Sequence, residues 1–274
     1  MSAVAMRMSA ENSTPIQLEP QFVERVWGTT QLAPYYANSE KKIGEVWFTK
    51  GQNFPLLIKF IFTSERLSVQ VHPGDEYAGQ HEGSRGKTEM WHILAAERDS
   101  TIALGFNRSL SAEALRQAIL DGSVETLLNW VPVEAGETYF AEAGVVHAIG
   151  AGIVLCEIQQ NSDVTYRLYD YGRGRELHVD KGLDVCQTGS YDGSRSMPVV
   201  CEHFHTELIE GPDWSQAGLL TCEHLLIAVA GSGKIGGQAV SPGQVWLVPA
   251  DAGAAIEDTG GLRLLRVRCD SQNS

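Results

Sequence analysis

The sequence predicts an all-β protein, two related barrels with a short helical insertion in the first. Three observations lead there. Most of the 274 residues fall in short segments rich in β-branched and aromatic side chains, broken by 28 glycines and 10 prolines. The clearest helical stretch, Ser111 to Leu120, has strands on both sides, so it reads as an excursion from one barrel. The chain also resembles itself: the run from Gly136 through Tyr139 and Gly144 to His147 follows the same turn, apolar strand, turn plan as the run from Gly243 through Trp246 to Ala254.

Each element has a local reason. Ser111 is placed to cap the helix, Glu113 lies in its positive first turn and Gly122 stops it, with a second short helix expected over Val124 to Trp130. In the repeated unit the leading Gly136 and Gly243 suit a positive-φ turn, and the alignment sets His147 opposite Ala254, so only the first unit keeps an imidazole. The divide is expected near Thr188 to Ser196, giving a first domain over 15–190 with its insertion around 109–130 and a second over 195–272. Gly231-Ser232-Gly233-Lys234 lacks the full phosphate-loop spacing and reads as a hairpin turn.

Composition narrows the function. Hydrophobic residues are 43% and charged residues 20%, and no apolar run approaches the ~18 residues that cross a bilayer, so neither disorder nor a membrane protein is expected. Lys plus Arg is 21 against 34 Asp plus Glu, a formal charge of −13 that argues against nucleic acid as a partner. Met1 to Thr14 carries one Arg and no apolar core of a secretory signal, so a cytoplasmic protein with a loose leader is expected. Five widely spaced cysteines, never in a C-x-x-C pair, read as reduced packing thiols. Nothing in the pattern specifies an oligomeric state.

Chemistry concentrates in three segments. Strand alternation in Leu67 to Pro73 turns Ser68, Gln70 and His72 to one side, and in Lys87 to Ile93 it groups Lys87, Glu89, Trp91 and Ile93, leaving His92 opposite. His147 opens another strand after Gly144. A lone strand histidine is more often hydrogen-bonded than metal-ligating; His72, Glu89 and His147 together, with Gln70 as a neutral oxygen donor, would form an N2O2 site with an open position. That set suits Zn²⁺ kept for catalysis, and also Mn²⁺, Fe²⁺, Co²⁺ or Ni²⁺. His81, His92, His203, His205 and His224 read as structural or solvated; His178 stays undecided. The polar run from Glu157 to Arg173 reads either as an internally bonded strand and loop, its tyrosines closing one barrel end, or as a pocket wall. In the second reading Arg167 offers a fork for an oxyanion or phosphate, Glu157 a base whose pKa is raised if the pocket is dry, and Lys87 a point charge.

These segments, with Glu24 to Gly28 and Ile43 to Trp47 before them, occur in an order that resembles the short bacterial type I mannose-6-phosphate isomerases of the cupin superfamily, over most of the chain. The resemblance implies two jelly-roll-like cupin barrels. It implies that the first holds one zinc through Gln70, His72, Glu89 and His147, with Arg167 as the active-site arginine, Glu157 as the acid before the Gln-Gln pair and Lys87 beside the metal glutamate. The implied reaction interconverts mannose 6-phosphate and fructose 6-phosphate through a cis-enediol. Glu142 stands where many cupins place Pro, and His92 where an aromatic residue is common. Two other classes share parts of the pattern: a sugar-phosphate-binding cupin without catalysis, or a cupin for another phosphorylated sugar, and a metal-dependent cupin oxygenase or epimerase.

Overall fold

The computed structural model describes residues 14–211, 222–250 and 255–269. The expected leader, apart from Thr14, and the Gly253 and Ala254 half of the repeat comparison lie outside the described residues. The chain divides into two compact units, one of residues 21–30 and 39–195, the other of residues 1–20, 31–38 and 196–274.

The first of these consists of two antiparallel sheets. In the seven-stranded sheet the order is Ser194–Arg195, Thr138–Ala141, Glu89–Ala96, Ile153–Gln160, Leu56–Phe62, Ile43–Phe48, Gln21–Thr29; the five-stranded sheet runs Tyr166–Tyr169, Val69–Val71, His147–Ile149, Thr101–Phe106, Leu128–Pro132. One core cluster joins them, with Ile61, Trp91, Ile93 and Leu155 from the larger sheet and Ile102, Leu104 and Ile149 from the smaller. These are alternate residues of each strand, the period-2 pattern of a sheet with an inward face.

The outer face of the five-stranded sheet is also apolar, with Val69, Val71, Ala103, Ala148 and Leu168 buried against Leu115, Ala118 and Ile119. Those last three sit on the helix Ala112–Asp121, where the Ser111 hydroxyl accepts from the Ala114 N–H at 3.1 Å and Gly122 ends the helix at φ 79°. The second helix is shorter than its pattern suggests. It covers Val124–Leu127, and Leu128 turns into a strand because 128–132 completes the edge of the five-stranded sheet against Thr101–Phe106. Tyr166 likewise does not close a barrel end; it packs in the outer cluster and donates to Glu82.

The other unit repeats the plan with less in it. Six strands run in the order Ile16–Gln17, Val245–Val248, His224–Ala230, Arg263–Arg268, His205–Glu210, Val199–Val200, and three more in the order Gln238–Val240, Gly233–Ile235, Ile256–Asp258. Leu226, Ala228, Trp246, Val248 and Leu264 from the first set share a core with Ile235 and Val240 from the second. Gly231, at φ 74°, carries the chain from one sheet to the other, so the expected hairpin is a crossing between sheets. Lys234 pairs with Glu257 at 3.0 Å on the surface. The two leading glycines of the repeat do adopt the same left-handed turn, Gly136 at φ 95° and Gly243 at φ 91°.

Candidate metal centre

Strand register brings the three chemical segments together. His147 lies directly opposite Gln70, and Gln70 on its other side lies opposite Arg167, so all three share the inner face of the five-stranded sheet. Across the barrel, Glu89 and Trp91 lie opposite Gln159 and Glu157 on the inner face of the seven-stranded sheet. His92 is turned away, bonded to the Thr138 hydroxyl at 3.0 Å.

His72, Glu89 and His147 converge, with one potential ligand atom from each all within 4.8 Å of one another. His147 Nε2 is 3.3 Å from Glu89 Oε1 and His72 Nε2 is 3.6 Å from Glu89 Oε2. Second partners fix the imidazoles. His72 Nδ1 lies 2.9 Å from the Val164 carbonyl and His147 Nδ1 lies 2.9 Å from the Val145 carbonyl. A carbonyl only accepts, so each Nδ1 carries the proton and each Nε2 presents its lone pair to the centre. Burial, joined by the charge of Lys87 and the neighbouring His147, holds His72 well below its usual pKa; burial also lowers His147, against an opposing pull from Glu89. Both rings are therefore neutral at pH 7, the form that ligates.

Gln70 stands at the rim of this cluster, its Nε2 3.3 Å from His147 Nε2 and its Oε1 3.2 Å from the Ser68 hydroxyl. Half a turn of the amide exchanges the two and presents a neutral oxygen to the centre. Lys87 Nζ lies 2.9 Å from His72 Nε2 and 3.0 Å from Glu89 Oε2. Both Glu89 oxygens are buried without an aligned hydrogen-bond donor. A fully buried carboxylate in that state beside two imidazole Nε2 lone pairs, approached by the Lys87 ammonium and the Gln70 amide, is a set of acceptors that fits a divalent cation.

Next to the cluster is a group that the sequence reading passed over. Lys59 is 2% exposed, its Nζ 3.0 Å from Glu157 Oε1 and 5.2 Å from the Trp47 ring centre. Trp91 Nε1 donates to Glu157 Oε2 at 3.0 Å. Burial alone would raise the Glu157 pKa, as expected for a dry pocket, but the charges of Lys59 and then Lys87 outweigh it and lower it: Glu157 is a carboxylate at neutral pH. The signal for Lys59 was available, a single charge in the otherwise apolar run Leu56–Phe62.

Arg167 donates through Nη1 to the Glu176 carbonyl at 3.0 Å, while its Nε is buried without a partner. His178, left undecided by the sequence, accepts the Arg167 backbone N–H on Nδ1 at 3.1 Å and so holds that strand in place. His81 stacks on Tyr77 with centroids 4.0 Å apart, and His205 accepts from Arg268 at 2.8 Å.

Two facing antiparallel sheets around an inward His, Glu, His cluster define a protein of the cupin type. No family model matches the chain. Among curated proteins it is 38% identical over 218 residues to "Mannose-6-phosphate isomerase ManA" of Bacillus subtilis (strain 168), covering 64% of this chain and 69% of that one. It is 36% identical over 231 residues to "Mannose-6-phosphate isomerase" of Streptococcus mutans, covering 77% and 71%. Among solved structures, the mannose 6-phosphate isomerase of Bacillus subtilis superposes with a TM-score of 0.79 at 26% identity, over 93% of this chain and 99% of that one. A putative mannosephosphate isomerase of Archaeoglobus fulgidus shares the fold, with a TM-score of 0.76 at 20% identity over 94% and 98%. The chain belongs to the mannose-6-phosphate isomerase family and is an isomerase.

Proposed function

We propose that this enzyme interconverts mannose 6-phosphate and fructose 6-phosphate, and that Gln70, His72, Glu89 and His147 hold one divalent cation, Zn²⁺ by preference. The observation that carries the reading is the convergence of the two imidazole Nε2 atoms, each with its proton on Nδ1, on a buried carboxylate that accepts no hydrogen bond. A divalent cation held there would polarise the substrate carbonyl and offset the negative charge that develops on the enediol oxygens.

The surrounding side chains have roles that follow from their state. Conversion of the open-chain aldose removes the proton on C2, protonates O1, returns a proton to C1 and frees the hydroxyl proton on O2. Glu157, already ionised and fixed by Lys59 and Trp91, is the group we assign to carry the carbon-bound proton. Lys87, an ammonium on the cluster, and Arg167, with a buried unpartnered Nε, stabilise oxygen as it becomes anionic. The apolar half of the same barrel, with Ile61, Ile93 and Leu155, keeps water from that end of the site.

A coupled assay that follows fructose 6-phosphate from mannose 6-phosphate tests this. Activity is expected to disappear on chelation and return with Zn²⁺. A folded, metal-loaded sample without turnover refutes the reading.

A further inference from the structure

A cavity of about 570 Å³ opens in the unit that carries the cluster, lined by Trp47, Leu57, Ser84, Arg85, Ser162 and Asp163 among others. It adjoins the chemical face. Leu57 is the direct cross-strand neighbour of Gln159, and Gln159 that of Glu89. The Trp47 ring that forms another wall lies against Lys59 Nζ.

Arg85 differs from every other cation near the site. Lys59 is paired with Glu157, Lys87 with Glu89, and Arg167 is bonded to the Glu176 carbonyl. The Arg85 guanidinium has no hydrogen-bond or ion-pair partner among the described residues. The acids that could neutralise it are engaged elsewhere: Glu82 holds Lys181 and Tyr166, and Asp75 accepts from the Gly86 N–H and the Gln160 amide. Asp163 is the remaining acid on the cavity wall.

The backbone around Arg85 is nonetheless fixed. The Ser162 hydroxyl donates to the Arg85 carbonyl at 2.8 Å, the Gly86 N–H donates to Asp75 at 2.7 Å, and the Lys87 N–H donates to the Pro73 carbonyl at 3.0 Å. A Cβ on Gly86 would meet the Asp75 nitrogen at 2.6 Å, so this close approach requires glycine. The cavity wall thus carries an unpaired guanidinium on a hydrogen-bonded backbone, a group suited to an anion.

Its closeness to Lys87 along the chain bears on the ligand. Arg85 and Lys87 are two residues apart, which keeps their Cα atoms within roughly 7 Å of one another. The carbon chain of a hexose 6-phosphate separates its reacting carbons from its phosphate by a comparable span. We propose that Arg85 binds the phosphate of the sugar phosphate in this cavity, with the Ser84 hydroxyl beside it, and so determines specificity for phosphorylated over free sugar. This rests on the isomerase reading for the identity of the sugar, but the phosphate contact can be tested by itself.

The test compares the wild type with Arg85→Ala and Arg85→Lys. For mannose 6-phosphate, Arg85→Ala should raise KM roughly 10- to 100-fold, with kcat falling far less, the signature of lost binding that does not change through the reaction. Inhibition by inorganic phosphate should weaken in parallel, and Arg85→Lys should recover part of both. An unchanged KM and an unchanged phosphate inhibition constant overturn the proposal. So does a fall in kcat that tracks lost metal content at constant KM, which would make Arg85 a scaffold residue. If the wild type does not turn over mannose 6-phosphate, the isomerase reading fails; calorimetric titration of inorganic phosphate then decides this proposal alone, with weaker binding to Arg85→Ala supporting it and equal binding overturning it.

Discussion

The two units are built alike and filled differently. Each has a larger and a smaller antiparallel sheet around a shared core, and in each a tryptophan lies fully buried on an inner strand, Trp91 in one and Trp246 in the other. Around Trp246 lie Leu226, Ala228, Ile235, Val240, Val248 and Leu264, with Arg266 beside Leu226 on the same face and paired with Glu207. Around Trp91 the same kind of inner face carries Lys59, Glu157 and Glu89, with His147 set edge-on to the indole at a centroid distance of 5.4 Å. Burying such charges costs several kcal/mol per ion, and well-packed apolar residues generally hold a barrel together as well or better. The other unit repeats the two-sheet plan with no buried carboxylate among its described residues, so the place of Glu89 and Glu157 in this one is accounted for by chemistry.

The largest effect that would break this contrast is removal of an imidazole. His147→Ala deletes one of two Nε2 lone pairs aimed at Glu89 and leaves that carboxylate with fewer partners. Bound divalent metal, measured by elemental analysis after dialysis, should weaken by more than the ~10- to 100-fold that loss of an outer-shell partner costs. Full metal content in the variant would show that the cluster is not the site.

Next comes the buried pair. Lys59→Met leaves Glu157 as an unpaired buried carboxylate, which should cost about 3–5 kcal/mol in denaturant unfolding. The pH dependence sharpens the point. In the native protein the Glu157 pKa lies below its ordinary 4.5, so its contribution to stability is present above that value and is lost as pH falls through the lower folded one. Without Lys59, burial dominates and the carboxyl moves up, so the acid-unfolding midpoint should shift to higher pH. Lys59→Met with Glu157→Gln should remove that shift; an equal shift in both variants would place its origin elsewhere.

A hydrocarbon substitution in the other unit provides the opposite pattern. Leu264→Ala should lower stability by about 2–5 kcal/mol, through lost burial and the cavity left behind, with metal stoichiometry unchanged. If metal content fell as much as stability, the division of labour between the units would not hold.

What could be read from the sequence followed the range of each interaction. The alternation in Leu67 to Pro73 and Lys87 to Ile93 is a property of single strands, and it grouped Gln70 with His72 and Glu89 with Trp91, opposite His92, as the structure has them. The cap at Ser111 and the stop at Gly122 are equally local. The end of the second helix was missed because tertiary pairing decides Leu128, and no local pattern announces that Thr101–Phe106 will pair with it. Ile16–Gln17 pairs with Trp246 and Leu247, a partner more than two hundred residues away. Glu157 shows the same limit in electrostatics: its burial could be read from the run around it, but the sign of its pKa shift depends on Lys59 from another strand.

The smallest expected effect bears on where the chemistry stops. The helix Ala112–Asp121 packs on the outer face of the five-stranded sheet, through residues that alternate with those pointing at the cluster. Ser111→Ala removes only the hydroxyl that accepts from the Ala114 N–H at the helix start and should cost about 1 kcal/mol of stability. Because Ala148 faces the helix layer while His147 faces inward, loosening the helix start leaves the imidazole's register with Gln70 and its bond to the Val145 carbonyl in place. Metal affinity and KM should therefore match the wild type within error while thermal unfolding comes a few degrees earlier. A loss of metal affinity in this variant would mean that the outer layer sets the geometry of the inner one, and that the polar interior of this unit is maintained by its helical cover as much as by its sheets.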